Sequence, residues 1–261
     1  MQTTWRTFLL GGLTAISFLT LTGCATSDTG RRQLILISGA EETQLGFTAF
    51  DQMKKEVPIS KNPQHNALVA KVGAQIAEQA KSKLPDAKWE FVVFESKEAN
   101  AFCLPGGKVG VYSGLLEITQ TPEGLATVIG HEVAHASQHH GNERMSDAMA
   151  VHGVTEWASG LASEKYQAVA HTAFGLVGKG AELKFSRVHE SEADHVGLLY
   201  MARAGYNPEE AVRFWQRFSD SHKAQPQQPV FLRTHPLDAQ RIADLKKWMP
   251  EAKAAMKPVA K

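Results

Sequence analysis

The stretch HEVAH at residues 131–135 constrains this chain more than any other feature. Two histidines four residues apart leave a helix from one face, about 6 Å apart along its axis, so both imidazoles can grip a single ion. Glu132 stands about 100° around from His131, close enough to reach a water on that ion without binding the ion itself. Thr121 followed by Pro122 reads as a helix start and Gly141 as its stop, which predicts one helix of roughly five turns across the histidines. Leu125, Val128, Ile129 and Val133 supply its buried side.

A catalytic zinc usually keeps three protein ligands and one open position, so the histidine pair needs a third donor. The later stretch SRVHESEADHVG offers Glu190 with Asp194 four residues on, again on one helix face. A solvated helix face can also carry such an acidic pair, but beside a complete histidine pair the joint pattern is far more specific than either half. On this reading His131, His135 and Glu190 hold one Zn2+ per chain, and Asp194 holds the far nitrogen of a liganding histidine, fixing its tautomer. Zinc lowers the pKa of a water and Glu132 takes the proton. A ligand set spanning His131, His135 and His139 would stretch about 12 Å, too far for one ion, so His139 reads as a surface or packing residue. His140 reads as a cap or packing residue and Glu143 as surface or packing, while His189 and His195 fall outside the site.

The remaining pattern predicts an α+β domain, predominantly helical, with a small β-sheet whose edge strand borders the site. Ser38 and Glu41 at capping-box spacing open a first helix, and Asn62-Pro63 opens a second with Leu68, Val72 and Ile76 on one face. The segments KWEFVVFES and NAFCLPGGKVGVYSGLL read as strands, with a tight turn at Pro105-Gly106-Gly107. Glycines in GGKVGVYSG admit close backbone approach, which predicts an exposed edge there that accepts an extended polypeptide, with Asn100, Gly107 and Val109 along it. Alanine-rich helices are expected over 143–180, then a helix ended by Gly205 and one from Asn207-Pro208 carrying Phe214, Trp215 and Phe218. A Pro- and Gln-rich loop, AQPQQPVFLRTHP, leads to a last helix, LDAQRIADLKKWM.

Four segments, HEVAHASQHHGNERMS, SRVHESEAD, NAFCLPGGKVGVYSGLL and RTHPLDAQRI, resemble in content the HtpX-type zinc metallopeptidases, the family that includes the CAAX prenyl proteases. Within it the chain is most similar to the periplasmic lipoprotein branch of the LoiP and BepA type, over roughly residues 40–250. The resemblance implies a zincin-like fold, zinc ligands at His131, His135 and Glu190, a general base at Glu132 and an orienting carboxylate at Asp194, which are the roles the spacing also suggests. It further places His235 near the active site, where three roles stay open: filling the fourth zinc position in a resting enzyme, donating to the oxyanion, or starting the next helix. Cys103 departs from the small residue, such as alanine, expected there. The implied activity is endopeptidase cleavage of unfolded or misassembled envelope proteins. The rival is a non-cleaving chaperone or binding lipoprotein that uses the same groove. A purely structural zinc would want four closed ligands, commonly thiolates, and the lone Cys103 fits that poorly.

The N-terminus reads as an export signal. Arg6 precedes the apolar run FLLGGLTAISFLTL, shorter than the ~20 residues of a spanning helix, and LTGC resembles the bacterial lipobox. This predicts a lipoprotein signal peptide over 1–23, a lipid on Cys24, a tether over 24–37, the peptidase domain over 38–250 and a flexible tail over 251–261. A plain signal peptide cut nearby is the alternative. Ala25 after the cysteine points, by the lipoprotein sorting rule, to the outer membrane and its periplasmic face. Cys103 then reads as a small buried apolar side chain, since two cysteines make no disulfide framework. Lys+Arg 28 against Asp+Glu 27 leaves a net charge of +1, which gives no field to hold a polyanion and excludes nucleic acid as a partner. The expected partners are polypeptide substrates and, through the lipid, a membrane.

Overall fold

The computed structural model describes residues 24–152, 185–222 and 229–256. The expected signal peptide, the alanine-rich stretch beyond residue 152, the start of the Gln- and Pro-rich loop and the last five residues lie outside that range. In chain order the elements are β1 (Cys24–Thr26), β2 (Arg32–Leu34), α1 (Gly39–Glu56), α2 (Pro63–Ala80), β3 (Glu90–Phe94), β4 (Ala101–Leu104) and β5 (Lys108–Tyr112). They continue with α3 (Ser113–Thr119), α4 (Pro122–Ser137), α5 (His140–His152), α6 (Arg187–Arg203), α7 (Glu209–His222), α8 (Val230–Thr234) and α9 (Ala239–Ala255).

Local sequence signals set the helix starts. Ser38 and Glu41 form the expected capping box on α1, and the Asn62 side chain accepts from the backbone N–H groups of Gln64 and His65 at the head of α2. Thr121, Ser186 and Asp238 cap α4, α6 and α9 in the same way. Helix α4 is buried from Gly124 to Ser137: apart from His131, Glu132 and His135 its residues there are apolar or small on every face. It is enclosed by α6, α2, α7 and β4. Where α4 meets α6 the contact is glycine on glycine: a Cβ on Gly197 would stand 2.8 Å from the Gly130 carbonyl carbon and the His131 nitrogen. The two backbones therefore touch one residue from His131.

The three-stranded sheet has the order β3-β5-β4, with β3 parallel and β4 antiparallel to β5. Side-chain alternation gives it two buried faces. Val93, Ala101, Cys103, Val109 and Val111 face the main core of α2, α4, α6 and α7, while Phe94, Phe102, Leu104 and Tyr112 pack with Phe50 and Met53 of α1 and Met145 of α5. The result is the expected α+β architecture, mostly helical with a small sheet.

Several boundaries differ from expectation. The strand in GGKVGVYSG is central: β5 pairs with β3 on one side and β4 on the other, so Gly107, in the turn, and Val109, within β5, have no free edge to offer. The edge beside α4 belongs to β4, and of the expected edge residues Asn100 alone adjoins it. Helix α4 stops at Ser137, and His139, with φ 55°, makes the break, so Gly141 lies inside α5. Residues 24–34 form an antiparallel hairpin docked on the domain, where a tether was expected. Helix α8 interrupts the Pro-rich loop, and α9 runs through Pro250 to Ala255 with Ala252 fully buried, so the domain extends past residue 250. Among the described residues, no helix is long and apolar enough to cross a membrane.

Candidate active site

Three elements converge on one buried point. Helix α4 brings His131, Glu132 and His135, α6 brings Glu190 and Asp194, and the residue after α8 is His235. His131, His135, Glu190 and His235 each offer one donor atom, and these four atoms lie within 4.8 Å of one another. The approaches between them are His235 Nδ1 to Glu190 Oε1 at 3.0 Å, His135 Nε2 to His131 Nε2 at 3.1 Å, His135 Nε2 to Glu190 Oε1 at 3.3 Å, His131 Nε2 to His235 Nδ1 at 3.4 Å and His131 Nε2 to Glu190 Oε2 at 3.5 Å. A tetrahedron of zinc bonds near ~2.05 Å has edges of about 3.3 Å, so these spacings suit that ion. The donor set, imidazole with one carboxylate, suits it as well.

The outer contacts fix how the rings face. His131 turns Nδ1 to Asp194 Oδ1 at 3.0 Å, which leaves Nε2 toward the other donors. His135 turns Nδ1 to Nδ1 of His140 at 2.8 Å, and His140 Nε2 meets Glu192 Oε2 at 3.0 Å. His140 is thus more than a cap or packing residue. His139 reaches Glu42 at 2.9 Å, and His189 reaches Glu143 at 3.1 Å and stacks on His140; neither joins the donor group. His195 pairs with Glu251 of α9 and is not in the donor group. His235 lies against the rings of Phe185 and Phe231, with Nδ1 3.0 Å from Glu190 Oε1 and Nε2 3.6 Å from Glu132 Oε1. That excludes a role confined to starting the next helix.

Sequence reasoning missed Arg241 in α9. Its guanidinium forks onto Asp194 at 2.7 and 2.8 Å, reaches Glu190 Oε2 at 2.6 Å and lies over the Trp215 ring. One signal was available: three buried carboxylates on two helices demand a buried cation, and RTHPLDAQRI offers two arginines, Arg233 and Arg241. Burial opposes the charge on Glu190 and Asp194, but Arg241 together with the facing histidines outweighs it and holds both carboxyls below their ordinary range. Burial likewise opposes the charge on Arg241, and the two carboxylates outweigh it and raise its pKa. Burial also pushes the His131 imidazole down, yet Asp194 and Glu190 hold it up at about 9, so the same carboxylates favour any cation placed there. His135 is pushed well down by burial. Glu132 is pushed up by burial, with the facing histidines opposing, and its Oε1 is buried without a hydrogen bond. A carboxylate so placed is ready to take a proton. Beside it runs a narrow cleft lined by Glu42, Cys103, Pro105, Glu132, His135 and Phe185. Cys103 is buried, as expected, and burial raises its thiol pKa far above the ordinary value.

The sequence description of peptidase family M48 matches residues 63–249, most of the chain and all of this site. The chain belongs to peptidase family M48. It is a metallopeptidase by family, and metallopeptidases of this family use zinc. The chain is 35% identical over 173 residues to the mitochondrial metalloendopeptidase OMA1 of Schizosaccharomyces pombe, covering 66% of this chain and 50% of that protein. It is 31% identical over 262 residues to the protein of the same name from Saccharomyces cerevisiae, covering 94% of this chain and 73% of that one. To the beta-barrel assembly-enhancing protease of Escherichia coli it is 27% identical over 225 residues, 83% of this chain and 45% of that protein. The chain thus spans about half the length of two of these three curated relatives.

Proposed function

We propose that this chain is a zinc-dependent endopeptidase in which His131, His135 and Glu190 hold the metal, His235 takes the fourth position at rest, and Glu132 is the general base. The observation that carries the reading is the group of four buried donors at zinc-like spacing with Glu132 beside it. Zinc held there supplies a Lewis acid that activates a water and polarises the scissile carbonyl. Glu132 accepts the proton of the attacking water on its unpaired oxygen and returns it to the leaving amine. Asp194 and Arg241 keep His131 turned toward the metal. The outer edge of β4, unpaired among the described residues and with Cys103 on the cleft, takes an extended substrate as an added strand, which favours unfolded segments with little sequence selectivity.

The finer assignment rests on the sequence: an HtpX-type protein of the periplasmic lipoprotein branch, lipidated at Cys24, facing the periplasm from the outer membrane and removing unfolded or misassembled envelope proteins. The names of the protease relatives support a polypeptide substrate. The test is casein degradation by the zinc-loaded protein against Glu132→Gln and a chelated control. Loss of turnover in both, with zinc retained by the variant, is the expected result. Equal turnover by the variant would sink the mechanism, while zinc binding with no turnover by the parent would favour a chaperone in the same groove.

A further inference from the structure

Each histidine at the start of the donor group is backed by a carboxylate held by an arginine, but the two arginines come from opposite ends of the chain. Behind His131 stand Asp194 and Arg241 of α9. Behind His135 stand His140, Glu192 and Arg31 of the N-terminal hairpin. The hairpin grips Glu192 twice: Thr29 Oγ1 donates to Oε1 at 2.5 Å and Arg31 Nε to Oε2 at 3.0 Å. Arg31 is itself fixed by a fork onto Glu143 at 2.5 and 2.7 Å, and Gln33 Nε2 donates to the same Glu143 carboxylate at 3.0 Å. Glu192 is 4% exposed and His140 and His135 are 0% and 4%, so the carboxylate and the two rings meet away from solvent, with Thr29 and Arg31 closing over them from the surface.

This chain of contacts settles a tautomer. An ionised Glu192 only accepts, so His140 carries its proton on Nε2 and, when neutral, presents a bare Nδ1. Across the 2.8 Å contact His135 must then donate from Nδ1, which leaves its Nε2 bare and facing Glu190 and His131. With His140 protonated on Nδ1 instead, His135 would carry its proton on Nε2 and could not bind a metal.

We propose that Arg31 and Thr29 are positioning residues for the metal site: by clamping Glu192 they set, through His140, the tautomer and orientation of His135. The hairpin lies N-terminal to the region that matches the family, so this brace is supplied by a segment outside residues 63–249. The inference rests on the reading of His135 as a zinc ligand.

The test uses the full chain with Arg31→Ala, Arg31→Gln, Glu192→Gln and, as control, Lys83→Ala, which breaks the hairpin's ion pair through Asp28 but lies off the path to His135. Two readouts are taken: zinc affinity by chelator competition, and the visible spectrum of the cobalt(II)-loaded protein. Substitutions at Arg31 and Glu192 are expected to weaken zinc binding about tenfold or more and to shift the cobalt bands, lowering kcat with KM unchanged. Lys83→Ala is expected to leave both readouts at the parent's values. Affinities within about twofold of the parent, with unchanged bands, in folded Arg31→Gln and Glu192→Gln proteins would overturn the proposal. So would an equal loss in Lys83→Ala, which would mean that any loosening of the hairpin suffices. If Arg31→Ala does not fold, Glu192→Gln carries the same reading. A parent that binds zinc and shows this dependence but leaves casein intact would sink the peptidase reading and leave the brace standing.

Discussion

Arg241 carries the electrostatics of the site. It is the cation that meets both Glu190 and Asp194, at 5% exposure, and neither carboxylate has water to fall back on. Removing one partner of a buried ion pair costs roughly 3–5 kcal/mol, because the other charges stay buried without compensation. Arg241→Ala is therefore expected to lower Tm sharply and to weaken zinc binding, as Asp194 is released from His131. Arg241→Lys should recover only part, since one ammonium cannot fork onto two carboxylate oxygens. Thermal melts and metal titration of the three proteins check this, and a parental Tm in Arg241→Ala would refute the counter-charge account. The histidines and acids were legible in the sequence because helical spacing is local: four residues put His131 over His135 and Glu190 over Asp194. Arg241 was not, because 47 residues separate it from Asp194 and no periodicity spans that distance.

The glycine contact between α4 and α6 sets how near the two halves of the site can come. A Cβ on Gly197 would meet backbone at 2.8 Å, and backbone cannot swing away as a side chain can. Gly197→Ala should force the helices apart, costing about 1–3 kcal/mol as overpacking does, and carry Glu190 away from His131 in the same movement. Stability and zinc affinity are expected to fall together, read by thermal melts alongside chelator competition; a loss of Tm with parental affinity would show that the site tolerates the shift. Helix starts were readable because a cap is a contact over two or three residues, as at Ser38, Asn62 and Thr121. Strand order was not. The glycines of GGKVGVYSG suggested close approach, and close approach occurs, but to β3 and β4 on both sides, a pairing decided by register with Glu90–Phe94 as well as Ala101–Leu104. The hairpin at 24–34 was hidden for the same reason, since its polar residues look like a tether until Glu143 and Glu192 are seen to meet them.

Across the whole molecule, long-range ties at both termini hold the site together, and each can be loosened separately. Acid acts on the hairpin: burial opposes the charge on Glu143, but Arg31 and Gln33 outweigh it and hold its carboxyl below the usual range. A depressed folded value means stabilisation that is complete above the ordinary carboxylate pKa of about 4.3 and lost as pH falls through the folded value. Amide protection in residues 24–34 should therefore decline below about pH 4 before protection in α4 does, and hydrogen exchange across that range would refute this if both fell together. Metal removal acts on the centre. His131 and His235 are 104 residues apart in sequence yet 3.4 Å apart in the site, so an ion held between α4, α6 and the end of α8 cross-links segments that the unfolded chain leaves far apart. Zinc at about a hundred times its Kd adds roughly 2.7 kcal/mol to stability by mass action. For a domain of this size that is a Tm change of about 5–10 °C. Chelation should lower Tm by that amount in the parent and by much less in His135→Ala, whose site no longer binds tightly. Scanning calorimetry with and without chelator makes the comparison, and an equal drop in both proteins would place the stabilising metal somewhere other than this site.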